Sequence, residues 1–234
     1  MRVKHWVPAC ISLLLASTPA RSQVLIGYLF SEKLSSPTFN MGFEVGANFS
    51  TLDGFNDAQR INKTVFGLFG DWRFSEHVHL GSAILPFAGR GARGLAPVAT
   101  GDPGFDSQAA GGTMQRSFGY VEIPVVLKWA PHREEGIRVG AGPSFGIVTG
   151  ATDRYETATP SGMPYALERD IAGQVPGLDF GVSFEAEWRF KLLAIAARYT
   201  QGLTDMRLEG SPDAIHTRVL TGTGRIYLGK KPKS

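Results

Sequence analysis

The chain is poor in cysteine: its 234 residues contain only Cys10. Cys10 lies in an N-terminal segment that has the pattern of an export signal, with Arg2 and Lys4, then an apolar stretch, then Ala20-Arg21-Ser22. Small residues occupy the two positions that a signal peptidase reads, so we predict a cleaved signal peptide at 1–22. The mature chain then has no cysteine, which excludes disulfides and thiolate chemistry.

The mature chain also lacks an excess of charge of one sign. The full sequence has a formal charge of +3, and the signal removes three basic residues and no acidic one. A balanced chain gives no reason to expect a nucleic acid as a partner. Long apolar runs are absent too, because charges or glycines interrupt each one before the ~20 residues that a membrane-spanning helix needs. A helical inner-membrane protein is therefore excluded.

Patterns that indicate catalysis or metal binding are sparse. His77 and His79 lie near a short predicted turn, His132 lies in another, and His216 follows a long predicted loop. None has a serine and a carboxylate at a spacing that alternation would bring together, so we interpret these histidines as ordinary residues of the rim. His77 and His79 form a single pair without a third ligand. We predict no catalytic, cofactor-binding or metal site, no cofactor and no enzymatic activity.

One glycine-rich segment superficially resembles a phosphate-binding loop: Gly89-Arg90-Gly91-Ala92-Arg93-Gly94. It lacks the terminal Lys-Ser/Thr and the following helix of a P-loop. We predict a solvated loop. The alternative is that its two arginines contact lipopolysaccharide phosphates at an outer rim.

The sequence is rich in alternation with a period of two. From Leu178 to Phe190 every second side chain is apolar, and the residues between carry four charges. Only a β-strand separates side chains in this way. The same pattern predicts eight strands: Phe39–Ser50, Thr64–Phe74, His77–Arg90, Met114–Ala130, Ile137–Thr149, Leu178–Phe190, Leu192–Thr204 and Thr217–Gly229. Pro86 interrupts the third strand, and its register stays open.

The connections between these strands alternate in length. Those after the second, fourth and sixth strands are short, and the other four are long: Thr51–Lys63, Gly91–Thr113, Ala151–Val175 and Asp205–His216. Short turns at one end and long loops at the other are typical of an outer-membrane barrel. We predict one domain at 39–229, an all-β, eight-stranded antiparallel up-and-down transmembrane β-barrel with both termini in the periplasm. Segment 23–38 leads into it as a short helix or an extra strand, and 230–234 is a basic tail.

Alternation alone does not tell an apolar exterior from the apolar interior of a soluble, lipocalin-like barrel. Two features favour a polar lumen. Six glycines fall in the polar set, where a narrow lumen needs small residues: Gly42, Gly46, Gly140, Gly142, Gly146 and Gly181. Aromatic residues gather near the short turns, as in an interfacial girdle: Trp72, Phe74, Trp129, Trp188 and Phe190.

The polar face is charged in a balanced way. Its acidic residues are Glu44, Asp71, Glu122, Asp179, Glu185 and Glu187, and its basic residues are Arg73, Lys128, Arg138, Arg189, Arg198 and Arg225. In a lumen only wide enough for side chains, this balance predicts a packed network of ion pairs and no open pore. We expect Glu122 to pair with an arginine; the alternative is a proton-linked gate.

The fourth strand carries a longer motif, Gly119-Tyr120-Val121-Glu122-Ile123-Pro124-Val125-Val126-Leu127-Lys128-Trp129. It resembles the Y-x-E-I-P-x-x-L-K motif of the PorT-like outer-membrane β-barrel family, which is widespread in Bacteroidota. Further similar segments are Gly46–Gly54, Ala141–Pro143 and Arg198–Thr204. The resemblance implies an integral outer-membrane barrel without catalytic activity, with a structural or secretion-associated role.

We therefore expect export through the inner membrane and residence in the outer membrane, as a monomer. The expected partners are outer-membrane lipids and lipopolysaccharide, with secretion-machinery proteins as a further possibility. The alternatives are a small-solute or lipid-handling outer-membrane barrel and a soluble lipocalin-like periplasmic binding barrel.

Overall fold

A computed structural model describes residues 36, 38–55, 57–131, 135–158, 162–208 and 213–228. The predicted signal peptide, nearly all of segment 23–38, and the basic tail lie outside the described residues.

The described residues are mostly β-structure. They form ten strand segments, one helix and one 3-10 turn: β1 (Phe39–Asp53), β2 (Gln59–Arg73), β3 (Val78–Ile84), β4 (Arg90–Leu95), α1 (Pro103–Ala109), β5 (Thr113–Trp129), β6 (Gly136–Ala158), β7 (Pro164–Asp170), the 3-10 turn (Ala172–Gln174), β8 (Leu178–Phe190), β9 (Leu193–Gly202) and β10 (His216–Leu228). No helix among them is long and apolar enough to cross a membrane.

The strands close into a barrel with eight positions in its wall. Each strand pairs antiparallel with the next, and β1 pairs with β10 from Met41↔Leu228 to Asp53↔His216. β3 and β4 together occupy the third position, because both lie between β2 and β5. β7 and β8 pair with successive parts of β6 and occupy the sixth. The predicted eight-stranded architecture is confirmed.

The two faces of the wall are those that alternation predicts. On β8 Phe184 is 55% exposed, whereas its neighbour Glu185 is 5% exposed. Charged side chains line the lumen, and apolar side chains on the outside form what we call the apolar belt: Val45, Phe49, Phe66, Leu68, Trp72, Ile84, Phe87, Leu127, Trp129, Ile137, Val139, Phe145, Ile147, Phe180, Phe184, Trp188, Phe190, Leu193, Ile195, Leu203, Leu220 and Ile226. An interior of charges inside an apolar wall is the inverse of a lipocalin-like barrel, so the soluble alternative is wrong.

Aromatic rings cluster at the end of the belt near the short turns. Phe39 packs on Trp72 with 4.7 Å between ring centroids, and Trp188 packs on Phe190 at 4.5 Å. Trp129 is exposed at the end of β5. Aromatic side chains at this level are typical of the boundary between the apolar core of a membrane and water.

A glycine allows the wall to close tightly between β1 and β10. An ideal Cβ built on Gly46 would collide with the backbone of Gly222 and lie 2.8 Å from the Cα of Thr223. No atom would lie within 4 Å of a Cβ on Gly222, which faces outward. The lumen-facing position therefore requires glycine, and the outward one does not.

Three of the four predicted long loops are wrong in extent, because strand pairing continues above the apolar belt. β1 ends at Asp53 and β2 begins at Gln59, so the predicted loop Thr51–Lys63 shrinks to 54–58. Ala151–Val175 is mainly a hairpin of β6 and β7, joined through pairs such as Tyr155↔Leu167. Gly91–Thr113 contains most of β4 and the whole of α1, whose start is capped by the Asp102 side chain. Above the belt the outer face of the β6–β7 hairpin carries charged side chains such as Arg154, Glu156 and Glu168, so the apolar-polar alternation of the other strands is lost.

The third strand breaks at Pro86, which has no N–H to donate. β3 ends at Ile84. Leu85 still pairs with Glu122, and the Ala88 N–H donates to the Tyr120 carbonyl at 3.0 Å, before regular pairing with β5 resumes at Arg90↔Phe118. Leu85 and Ala88 are both fully buried although they are three positions apart. The break therefore changes which residues face the lumen, which is why alternation left this register open.

The two faces of β8 should respond differently to substitution. Phe184 lies near the middle of the belt, so Phe184→Arg should destabilise the barrel by ~2–4 kcal/mol in lipid. Ser183→Ala, which removes one lumen hydrogen bond of 2.8 Å to Thr200, should cost only about 1 kcal/mol. Denaturant titration in lipid vesicles measures both, and equal costs would contradict the assignment of faces.

A second pair of variants tests the close approach of β1 and β10. Gly46→Ala should destabilise the barrel by ~2 kcal/mol or more, because backbone must move to make room for the new methyl group. Gly222→Ala should be neutral or slightly stabilising, since glycine costs ~0.5–1 kcal/mol relative to alanine in a strand. Heat-dependent gel mobility compares the two variants. A less stable Gly222→Ala variant would refute the explanation.

Candidate functional site

The lumen is the candidate site, and its lower part is organised around Arg225. The Arg225 Nε donates to Glu44 at 2.6 Å, and its two terminal nitrogens donate to Glu185 at 2.7 and 2.8 Å. Arg225 also contacts Glu187. Three carboxylates from β1 and β8 thus surround one guanidinium from β10, which is 3% exposed.

Further cations neutralise the remaining charge of these carboxylates. Lys128 Nζ lies 2.8 Å from Glu185 and 3.1 Å from Glu187. Arg198 lies 3.4 Å from both Glu44 and Glu185. We call this group the lower charge cluster: Glu44, Lys128, Glu185, Glu187, Arg198 and Arg225. Its members come from five strands, so it links five of the eight wall positions across the lumen.

Asp71 extends the lower charge cluster toward the end with the short turns. Arg138 Nη1 lies 2.9 Å from Asp71 Oδ2, and His79 Nδ1 lies 3.2 Å from the same oxygen. His79 is buried, so its description as an ordinary rim histidine is wrong. The remaining described histidines contact backbone carbonyls, His77 that of Ala130 and His216 that of Thr204, and His132 lies outside the described residues.

A second group, the upper charge cluster, is organised around Arg90. Its Nη2 lies 2.8 Å from Glu122 Oε1, and its Nη1 lies 3.0 Å from Asp179 Oδ2. Asp179 also accepts hydrogen bonds from the Tyr120 hydroxyl at 3.1 Å and the Thr217 hydroxyl at 3.0 Å. Ser144 donates to Glu122 at 2.9 Å.

Arg90 is the lumen residue that the sequence analysis misplaced. We predicted it in a solvated loop, and it is 2% exposed and paired with two carboxylates. The break at Pro86 hid it, because counting by twos from β3 puts residue 90 on the outer face. Arg73, predicted in the network, is half-buried at the end of β2. Arg189 faces inward as predicted and stacks over the ring of Tyr227 at 3.8 Å.

Above the upper charge cluster the barrel is closed by apolar side chains. Phe118, Met114, Leu95 and Leu52 are buried there, and Phe105 of α1 packs edge-on against Tyr155 with 5.0 Å between centroids. A buried ion pair joins Arg116 to Asp153 at 2.6 Å within this layer. This cap was not predicted, because Leu52, Leu95, Phe105, Asp153 and Tyr155 come from segments that we interpreted as loops.

The charges of the two clusters and their neighbours balance. Six acidic and six basic side chains in the lumen are each no more than 8% exposed: Glu44, Asp71, Glu122, Asp179, Glu185, Glu187, Arg90, Lys128, Arg138, Arg189, Arg198 and Arg225. A cavity beside Phe69, Lys128 and Arg225 measures about 10 Å³, which is the space of a single water molecule. Among the described residues no group of three or more His, Cys, Asp or Glu residues has a metal-binding arrangement.

Arg225 should be far more important for stability than an exposed arginine on the same strand. Arg225→Ala leaves three buried carboxylates without their main partner, so we expect a loss of ~3–5 kcal/mol. Arg218→Ala removes a half-exposed pair with Asp53 and should cost about 0–1 kcal/mol. Urea titration of the two variants in vesicles measures the difference; similar costs would show that the lower charge cluster contributes little.

Three solved outer-membrane proteins resemble the chain. Ail, the attachment invasion locus protein of Yersinia pestis, crystallised with the heparin analogue sucrose octasulfate, is 12% identical over 81% of this chain and 99% of Ail, with a TM-score of 0.38. The outer membrane protein AlkL, solved in DMPC bilayers, is 12% identical over 86% of this chain and 95% of AlkL, with a TM-score of 0.38. OprG of Pseudomonas aeruginosa is 10% identical over 81% of this chain and 91% of OprG, with a TM-score of 0.33. A search of curated proteins found no match.

A family model supplies the assignment. The model described as the outer membrane protein beta-barrel domain matches residues 30–207. This range includes β1 to β9 and therefore most of the charged lumen. The chain belongs to the family of outer membrane protein beta-barrel domains.

Proposed function

We propose that this protein is a non-catalytic, integral component of the outer membrane whose lumen is closed, with a structural or secretion-associated role. The carrying observation is the balanced network of buried ion pairs across the lumen. A solute that passed along the axis would have to separate pairs such as Arg225–Glu185 and Arg90–Glu122. Each separation would leave unpaired charges buried in the lumen, which is costly in free energy. The apolar cap adds a second barrier.

The proposed orientation places the termini and short turns in the periplasm and the cap outside the cell. The export signal in the sequence and the family support the outer membrane as the location. The asymmetry of the connections supports the orientation, since such barrels have short periplasmic turns and longer outer loops. A barrel whose wall closes on itself also supports the proposal of a monomer surrounded by lipid.

The finer assignment to the PorT-like group, and with it the association with secretion, is part of the proposal. It rests on the fourth-strand motif, whose residues have a clear structural role. Tyr120, Glu122 and Lys128 face the lumen, and each contacts a partner in one of the charge clusters. These contacts explain why a barrel of this kind needs these residue types at this spacing, and they favour a structural role for Glu122 over a proton-linked gate.

Conductance separates a closed barrel from the alternative of a small-solute channel. We expect purified protein in planar bilayers to give no steady, reproducible single-channel steps, because buried ion pairs fill the lumen and the cavity beside Lys128 and Arg225 measures only about 10 Å³. The matched variants are Lys128→Gln in the lumen and Arg218→Gln on the outside. Regular steps from the unmodified protein whose size changes with Lys128→Gln but not with Arg218→Gln would overturn the closed-lumen proposal.

A further inference from the structure

Pro124 is the residue of the fourth-strand motif that the charge clusters do not explain. Its ring is buried on the lumen face of β5, but it offers neither a charge nor a hydrogen-bond donor to the clusters. β5 has partner strands on both of its sides. A proline inside such a strand removes a hydrogen bond from the sheet, so its presence in the wall calls for a physical reason.

The hydrogen bonds between β3 and β5 show which bond Pro124 removes. Leu85 and Glu122 exchange two backbone hydrogen bonds, each of 2.9 Å. The pairs of β3 with β5 below them keep the same register, in which Ala83 lies opposite Pro124. Bonded and non-bonded pairs alternate along an antiparallel ladder, so Ala83 and residue 124 occupy the next bonded position. Because proline has no N–H, the Ala83 carbonyl has no donor in this ladder.

The Ala83 carbonyl lies at the depth of the membrane. Its chain neighbour Ile84 belongs to the apolar belt, and lipid offers no hydrogen bond to a backbone group. An unsatisfied backbone carbonyl in such a wall costs free energy. The donor that satisfies it must therefore come from the lumen side.

The small cavity beside the lower charge cluster lies at this place. It measures about 10 Å³, and its volume suits one water molecule. The wall contributes Ala83, Pro124 and Val126 to its lining, and the lower charge cluster contributes Lys128, Glu185 and Arg198. A molecule in this cavity thus has the gap in the ladder on one side and charged groups on the other.

Arg198 brings a donor to the cavity that the protein leaves unused. Its Nη1 lies 3.4 Å from Glu185 and its Nη2 lies 3.4 Å from Glu44, whereas charge-assisted hydrogen bonds are usually about 2.7–2.9 Å long. Its Nε is buried and has no hydrogen-bond partner within the part of the chain that the structure describes. A buried donor without an acceptor is costly, so the Arg198 Nε needs an acceptor as the Ala83 carbonyl needs a donor.

We propose that this cavity is a binding site for one water molecule and that Pro124 creates the site. The water accepts a hydrogen bond from the Arg198 Nε, donates one to the Ala83 carbonyl, and directs its second hydrogen toward the Glu185 carboxylate. Three hydrogen bonds are typical of a buried water. A metal cation in the same place would be repelled by Lys128 and Arg198. The water joins the wall to the lower charge cluster where the ladder between β3 and β5 is interrupted.

Crystal structures of the unmodified protein and two matched variants, at a resolution that shows ordered water, test the site. Val126→Ile adds one carbon atom on the lumen face of β5, beside the cavity, and Val125→Ile adds the same atom on the outer face. We expect a water within hydrogen-bond distance of the Arg198 Nε and the Ala83 carbonyl oxygen in the unmodified protein and in Val125→Ile. We expect its loss in Val126→Ile. Heat-dependent gel mobility confirms that both variants fold.

The proposal is overturned if the unmodified protein has no water at this place, or has one that contacts neither group. An unchanged water in Val126→Ile, or its loss in both variants, would contradict the proposal equally. Conductance, which tests the closed lumen, is independent of these outcomes, so failure of the proposed function is seen separately.

Pro124→Ala tests the cause of the site. An alanine supplies the missing N–H, so in this variant the nitrogen of residue 124 should lie about 3 Å from the Ala83 carbonyl oxygen. Pro143→Ala is the control, because Pro143 lies on the outer side of β6 and away from the cavity; it should leave the water in place. A residue 124 that does not bond to Ala83, or loss of the water in Pro143→Ala, would show that Pro124 does not create the site.

Discussion

The structure depends on neutralising charge inside a barrel too narrow to hydrate it. Twelve charged side chains lie in the lumen, and each is nearly or fully removed from solvent. Such groups are tolerable only when paired and hydrogen bonded. Arg225 shows the consequence: its guanidinium binds carboxylates from β1 and β8, so the strand that closes the barrel is joined to both sides of the lumen by one side chain.

The same requirement explains the break in the third strand. Glu122 and Asp179 sit above the lower charge cluster, and because both are buried they need a cationic partner. The chain after Pro86 turns inward and brings Arg90 to both carboxylates. The inward turn removes residues 85–91 from pairing with β2, whereas Leu85 and Arg90 keep their pairing with β5.

The sequence predicted well those parts of the fold in which the polarity of each side chain matches the surface that it contacts. Along β8 the alternation of apolar and polar side chains gave the strand bounds and both faces, because every side chain there contacts either the outside or the lumen. The balance of charges likewise predicted a filled lumen. The strands above the belt were interpreted as loops, since residues such as those of β7 pack against other loops and alternate only weakly.

The sequence by itself determined the fold class, the apolar exterior and the pairing of six acidic with basic side chains in the lumen. These follow from a period of two and from the cost of unpaired charge, which are local properties. Only the tertiary structure decided that Arg90 replaces Arg73 in that network and that His79 is buried beside Asp71. The first depends on where Pro86 redirects the chain relative to distant strands, and the second on the register in which β3 pairs with β2. No local pattern records either.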